Sequence, residues 1–179
     1  MSSSIRVLVV DDYELFRRFV CSTLGTKRGL QVVGEATDGL EAVRIAEKLQ
    51  PDMILLDIGL PELNGLEVAN RIRQVASGAR ILFLTSNMDK DIVRAAFSTG
   101  ARGYVLKADA GRELLPAVAG VLGGNDFVSS GIRANESDEI DNDKLSPLLK
   151  SYLISWQPKP QPDRFSPAVV IRFRELQIP

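Results

Sequence analysis

The chain has 179 residues, 45% of them hydrophobic and 25% charged, with a formal net charge of −1. That is the balance of a globular protein, long enough for one ordinary domain plus an extension, and it carries no electrostatic footprint for nucleic acid or a membrane surface. It contains no histidine and a single cysteine, Cys21, which excludes Ser-His-Asp and Cys-His nucleophiles, His-ligated zinc and an internal disulfide.

Short apolar runs alternate with helical patterns from the start. Residues 5–10, I-R-V-L-V-V, are rich in the Val and Ile that suit a strand. Residues 12–26 follow with Leu15, Phe16, Phe19, Val20 and Leu24 at helical spacing. A second strand is predicted over 30–35 and a second helix over 39–49, ended by Pro51. M-I-L-L-D at 53–57 is a third strand, and 65–75 a third helix. I-L-F-L-T at 81–85 and G-Y-V-L-K at 103–107 are the fourth and fifth strands, with helices over 89–99 and 112–122. Pro116 falls inside the last of these, so that helix is expected to begin later or to kink. Cys21 lies on the first helix, and a buried inert thiol is the expectation there.

Five strands alternating with five helices predict an α/β fold, a doubly wound parallel sheet covered on both faces, with strand order 2-1-3-4-5. Beyond residue 131 the texture changes. A-N-E-S-D-E-I-D-N-D-K at 134–144 reads as a solvated acidic linker, and W-Q-P-K-P-Q-P at 156–162 as extended and proline-rich. Residues 1–131 are therefore expected to form the domain and 132–179 a linker and tail. Basic and acidic side chains are equally many in that tail. No apolar run reaches the roughly 20 residues that span a bilayer, and the opening M-S-S-S-I-R lacks a signal peptide's basic and apolar regions. A cytoplasmic location is expected.

In such a sheet, working groups collect at the carboxyl ends of the strands. The first strand ends in Asp11-Asp12, the third in Asp57, the fourth in Thr85, and the fifth in Lys107. The predicted order brings these into one crevice. Adjacent carboxylates resist ionising together unless a cation neutralises them, and without histidine that cation must take oxygen ligands, which suits Mg2+, Ca2+ or Mn2+. Mg2+ fits, because it needs few protein carboxylates and leaves room for a phosphate oxygen. Asp12 and Asp57 are the expected direct ligands, with Asp11 acting through water. The chemistry this permits is phosphoryl transfer to a carboxylate, giving an acyl phosphate. Asp57 sits centrally as the nucleophile. Lys107 is a point cation for one phosphoryl oxygen and Thr85 a hydroxyl donor to another. Taken singly, each residue has a plainer use: Asp12 as a helix cap, Tyr104 in the core, and the P-E-L-N-G run at 61–65 as ordinary turn residues. Their convergence on one sheet edge is what favours the chemical reading.

Four motifs in order, V-V-D-D at 9–12, L-L-D-I-G-L-P-E-L-N-G at 55–65, L-T-S at 84–86 and G-Y-V-L-K at 103–107, give residues 4–130 a resemblance to bacterial response-regulator receiver domains. The resemblance implies a flavodoxin-like (βα)5 fold and a two-component signalling role. It implies Asp57 as phosphoacceptor, and Mg2+ held by Asp12, Asp57 and the backbone carbonyl of Gly59, with Asp11 as second member of the acidic pair. Thr85 would be the switch hydroxyl, Lys107 the partner of the phosphoryl group, and Tyr104 the aromatic switch that turns inward on phosphorylation. The implied phosphodonor is a phosphohistidine on a sensor histidine kinase or phosphotransfer protein, and a homodimer is one implied output. Many receivers follow the lysine with a cis proline. Ala108 stands there instead, which leaves the cis or trans state of the Lys107–Ala108 bond open.

Receivers of this texture usually carry a helix-turn-helix output, and Leu145-Ser146-Pro147 echoes its start. No long basic amphipathic helix follows, so the DNA-binding half is expected to be absent, replaced or truncated, and nucleic-acid binding through this chain is not expected. Three rivals remain. A phosphatase using an aspartyl phosphate would need an acid/base near position 59, where Gly59 stands. A flavin or nucleotide binder would need a phosphate-binding glycine motif, and neither G-x-x-x-x-G-K-[ST] nor G-x-G-x-x-G is present. A DNA-binding role for 132–179 sits poorly with a neutral tail.

Overall fold

The computed structural model describes residues 4–133. Elements follow one another as β1 (Ile5–Val10), α1 (Glu14–Gly25), β2 (Leu30–Ala36), α2 (Gly39–Leu49), β3 (Met53–Leu56), α3 (Gly65–Val75), β4 (Arg80–Thr85), α4 (Lys90–Ser98), β5 (Gly103–Leu106), α5 (Ala110–Leu122), β6 (Phe127–Val128) and α6 (Ser130–Arg133). A 3-10 turn at Lys107–Asp109 joins β5 to α5. The strands form one sheet in the order 2-1-3-4-5-6, and all five pairings are parallel.

The expected order 2-1-3-4-5 holds, with one strand added at the edge. β6 pairs with Gly103 and Tyr104 of β5 and then stops. The three apolar runs singled out in the sequence are the buried heart of the sheet. Val7 to Val10, Met53 to Leu56 and Ile81 to Leu84 are all essentially inaccessible, as strands covered on both faces must be. On one face they pack with Val20 and Leu24 of α1 and Leu114, Ala117, Val118 and Val121 of α5.

One helix and one strand boundary near the site differ from expectation. α5 starts at Ala110, not later, and runs through Pro116. Proline there forgoes the N–H that would bond the Arg112 carbonyl. Burial of Leu114, Ala117, Val118 and Val121 holds the helix in spite of that loss. The fifth strand ends at Leu106, so Lys107 opens the 3-10 turn instead of closing the strand. Asp38, Asn64 and Asp89 cap α2, α3 and α4 by accepting a backbone N–H two or three residues on. Packing reaches Ile132, one residue past the expected boundary at 131. The expected acidic linker, the proline-rich stretch and the Leu145-Ser146-Pro147 echo lie outside the described residues. No described helix is long and apolar enough to cross a membrane.

Candidate functional site

Each parallel strand delivers its last residue to the same edge. Hydrogen bonding carries this past the strands themselves: Asp11 N–H donates to the Ala36 carbonyl and Asp57 N–H to the Val10 carbonyl. Asp11 and Asp57 are thereby fixed by backbone as the sheet opens, Thr85 closes β4, and all three residues are buried, at 2%, 5% and 3% exposure. Asp12 is exposed. It does not cap α1. Instead Asp11 Oδ1 accepts the Tyr13 N–H at 2.9 Å, and the helix N-terminus has no side-chain cap.

Lys107 is the centre of the arrangement. Its Nζ lies 2.7 Å from Asp57 Oδ2 and 2.7 Å from Asp11 Oδ2. The contact with Asp57 is a hydrogen bond. The contact with Asp11 is an equally short ion pair, made to a buried carboxylate oxygen. Burial raises the Asp11 carboxyl above its ordinary value, and the Lys107 ammonium offsets this only in part. Burial alone would lower Lys107, but bonding to Asp11 and Asp57 outweighs it and raises the ammonium above its ordinary value. The lysine is therefore charged at neutral pH.

One ammonium faces three carboxylates. Ligand oxygens of Asp11, Asp12 and Asp57 all lie within 4.8 Å of one another. With three carboxylates facing one ammonium and their oxygens so close together, the set fits a hard divalent cation. Gly59 lies in the same loop. Its N–H donates to Asp57 Oδ1 at 3.1 Å, and with Asp57, Ile58, Thr85, Ser86 and Asn87 it lines an open pocket beside the carboxylates.

Thr85 and Tyr104 meet at the β4–α4 loop. Thr85 Oγ1 accepts the Asn87 N–H at 3.1 Å, and the Tyr104 hydroxyl donates to the Asn87 carbonyl at 2.9 Å. Burial, eased by a hydrogen bond from Thr85, raises the Tyr104 hydroxyl well above its ordinary value. The tyrosine ring is fully buried and tilted against Phe83 at 6.4 Å between centroids. An inward turn on phosphorylation would start from an outward ring, whereas here the ring is already inward. The Lys107–Ala108 peptide is trans.

Three contributors escaped the sequence reading. Phe16 places its ring 4.9 Å beneath the Lys107 ammonium, within reach of a cation–π attraction. Arg17 donates from one terminal nitrogen to the Asp11 carbonyl at 2.8 Å and pairs through Nε with Glu35 at 3.0 Å, so α1 grips the acidic loop and the end of β2. Helical spacing put Phe16 on the core face, but nothing in spacing tells that this face reaches the site. Gly65 belongs to the turn run at 61–65, but its backbone also packs directly on that of Asp57: a Cβ there would stand 2.1 Å from the Asp57 carbonyl oxygen.

Comparison with known proteins places this arrangement. The sequence model of the response regulator receiver domain matches residues 7–119. The transcriptional regulatory protein LiaR of Bacillus subtilis is 35% identical over 128 residues, 72% of this chain and 61% of LiaR. The nitrate/nitrite response regulator protein NarL of Escherichia coli is 34% identical over 157 residues, 82% of this chain and 72% of NarL. This chain thus spans about three-fifths of LiaR and somewhat more of NarL. Among solved structures, a LuxR-family two-component response regulator from Aurantimonas sp. SI85-9A1 superposes with a TM-score of 0.70 at 34% identity, covering 74% of this chain and 94% of that one. The response regulator domain of Thermotoga maritima CheB gives 0.61 at 33% identity, over 65% and 94%. On its sequence, its fold and the acidic pocket at its sheet edge, this chain belongs to the response regulator receiver family.

Proposed function

We propose that Asp57 is the phosphoacceptor and that its modification is the signal this chain carries. The observation that supports the reading best is Lys107, held 2.7 Å from both Asp57 and Asp11, while Asp57 and Thr85 line one pocket. A phosphoryl group in that pocket would meet a cation on one side and a hydroxyl on the other.

Asp11, Asp12 and Asp57, with the Gly59 backbone carbonyl, would hold the metal, which we take to be Mg2+. When bound, it would neutralise the carboxylates and the phosphoryl oxygens. In the step itself a carboxylate oxygen of Asp57 attacks phosphorus. The new O–P bond replaces the P–N bond of a phosphohistidine on a sensor kinase or phosphotransfer protein, and the electron pair leaves with the imidazole. Lys107 then passes from Asp57 Oδ2 to a phosphoryl oxygen while keeping its pairing with Asp11. Thr85 donates its hydroxyl proton to a second oxygen. Charge develops where Lys107 and Thr85 already stand, which is the economy of a preorganised site. The chain so acts on itself and is not a turnover enzyme. The reading places it in the cytoplasm with its donor, as a switch whose surface at α4, β5 and α5 meets another protein or a second copy.

A second output is favoured by one observation. The match to NarL covers 82% of the chain, more than residues 1–131 supply, and LiaR is a transcriptional regulator by name. In that reading residues 132–179 join the receiver to DNA binding carried elsewhere.

The deciding experiment is intact mass of the full chain after incubation with Mg2+ and acetyl phosphate, beside Asp57→Ala. One phosphoryl group on the parent and none on the variant is expected. A persistent label on the variant would overturn the assignment of Asp57. An unlabelled parent, under conditions that label another receiver, would overturn the reading as a whole.

A further inference from the structure

β5 and β6 pair as a parallel ladder, and its last rung is unusual. Ser129 N–H donates to the Tyr104 carbonyl at 2.8 Å. In a regular parallel ladder the next rung would run from Leu106 N–H to the Ser129 carbonyl. The chain turns away into α6 at Ser130, and the Ser129 side chain supplies the missing acceptor: Leu106 N–H donates to Ser129 Oγ at 3.2 Å. The same hydroxyl has one proton to give. Glu113 Oε2 stands 2.5 Å away and Asp109 Oδ2 3.2 Å away. Glu113 is fixed in turn by Ser130, whose hydroxyl and N–H both donate to it. Asp109 is paired with Arg112.

Leu106 and Asp109 are the residues on either side of Lys107 and Ala108. One hydroxyl, 0% exposed, therefore bonds the residue before the lysine and stands within reach of the last residue of the 3-10 turn that the lysine opens. The backbone behind it is equally close: a Cβ on Gly131 would lie 3.0 Å from Asp109 Oδ2 and 3.0 Å from a Leu106 methyl. A long flexible lysine gains precision only if its own Cα is fixed, because each loose dihedral spreads the ammonium over the pocket. Ser129 lies beyond the matched residues 7–119, and its hydroxyl bonds Glu113 and Asp109 rather than Asp11, Asp12 or Asp57.

We propose that Ser129 is a positioning residue for Lys107: its side chain closes the β5–β6 ladder and clamps the turn, so that the ammonium is delivered between Asp11 and Asp57. The inference rests on Lys107 taking part in phosphorylation of Asp57, and its test separates the two. In the full chain, Ser129→Ala should lower the maximal rate of phosphorylation by acetyl phosphate about tenfold, since small misplacements of a reacting group are costly. The half-saturating acetyl phosphate concentration should stay within about twofold, and Ser129→Thr should restore the rate. The decisive arm is the double variant. If Ser129 acts through the lysine, Ser129→Ala should change nothing further in a Lys107→Ala background. An equal loss in that background, or an unchanged rate in the single variant, would overturn the proposal. A readout free of phosphorylation keeps it distinct from the phosphoacceptor reading. The Lys107 ε-methylene NMR signal, assigned by its loss in Lys107→Arg, should shift in Ser129→Ala and return in Ser129→Thr. An unmoved signal would overturn the proposal even if Asp57 is phosphorylated as expected. Should Ser129→Ala not fold, Glu113→Gln, which weakens the acceptor of the Ser129 proton, should move the same signal in the same direction.

Discussion

Gly65→Ala puts one methyl group against the backbone that carries Asp57, the proposed phosphoacceptor. The Cβ would stand 2.1 Å from the Asp57 carbonyl oxygen, 2.7 Å from Ile58 Cα and 2.9 Å from the Asp57 carbonyl carbon, where real Cβ contacts essentially never fall below 3.0 Å. Those neighbours are main chain, so no rotamer change relieves them. The α3 N-terminus and the Asp57 loop must part by about 0.9 Å, the difference between 3.0 and 2.1 Å. They are also tied there, since Gly65 N–H donates to the Ile58 carbonyl at 2.9 Å. Overpacking of this kind costs about 3 kcal/mol at the upper end of its usual range. Replacing glycine in a helical conformation returns about 1 kcal/mol through the unfolded state. Urea denaturation should therefore find the variant about 2 kcal/mol less stable. Since a displacement near 1 Å at a reacting group is worth about 10²-fold in rate, initial phosphorylation by acetyl phosphate should fall by about that factor. A stability change below about 0.5 kcal/mol, with the rate within twofold of the parent, would refute the claim that Gly65 is required by contact with Asp57.

Lys107→Met should destabilise the metal-free chain by about 3 kcal/mol, because it leaves two buried carboxylates without their cation. Lys107 is raised above its ordinary value of 10.5 in the fold, so its contribution is full below pH 10.5 and is lost as pH climbs through the higher folded value; thermal denaturation should show that alkaline fall in the parent and a smaller one in Lys107→Met. Adding Mg2+ to twenty times its dissociation constant should stabilise the chain by about 1.8 kcal/mol, a gain that chelation reverses and Asp12→Ala removes, as differential scanning calorimetry can record. Tyr104→Phe should cost about 1 kcal/mol in urea denaturation by stripping the Asn87 carbonyl of its hydroxyl donor.

The parts of this molecule that could be read in its sequence are those set by burial on two faces. Runs such as M-I-L-L and I-L-F-L have no polar side to show, and a strand of that kind needs helices above and below. Once alternation fixes a parallel sheet, its carboxyl edge is determined, and Asp11, Asp12, Asp57, Thr85 and Lys107 follow as neighbours without any distance being known. What escaped was tertiary in origin. Phe127–Val128 is too short to show a period of two and is a strand only because Gly103 and Tyr104 offer it a register. Pro116 reads as a helix breaker, and it takes the burial of α5 along the sheet to override that. In N-G at 64–65, both residues read as turn formers, and Asn64 proves to cap α3. The reason for Gly65 is a carbonyl oxygen eight residues back, which no local pattern records. Arg17 looks like a surface charge on an amphipathic helix until its partners, the Asp11 carbonyl and Glu35, are seen.

The inward position of Tyr104 bears on how such a site can switch. Asn87 is held by both of its backbone groups, its N–H by Thr85 Oγ1 and its carbonyl by the Tyr104 hydroxyl. A hydroxyl has a single proton. Thr85 accepts from Asn87 through its oxygen, so it can give that proton to a phosphoryl oxygen without surrendering the Asn87 bond. If Asp57 is phosphorylated as proposed, a charged acceptor, the stronger kind, would enter beside Thr85. The rearrangement would not need to bring the Tyr104 ring in from solvent, because that ring is already buried. Any shift of Thr85 would instead reach Tyr104 through Asn87, which bonds to both.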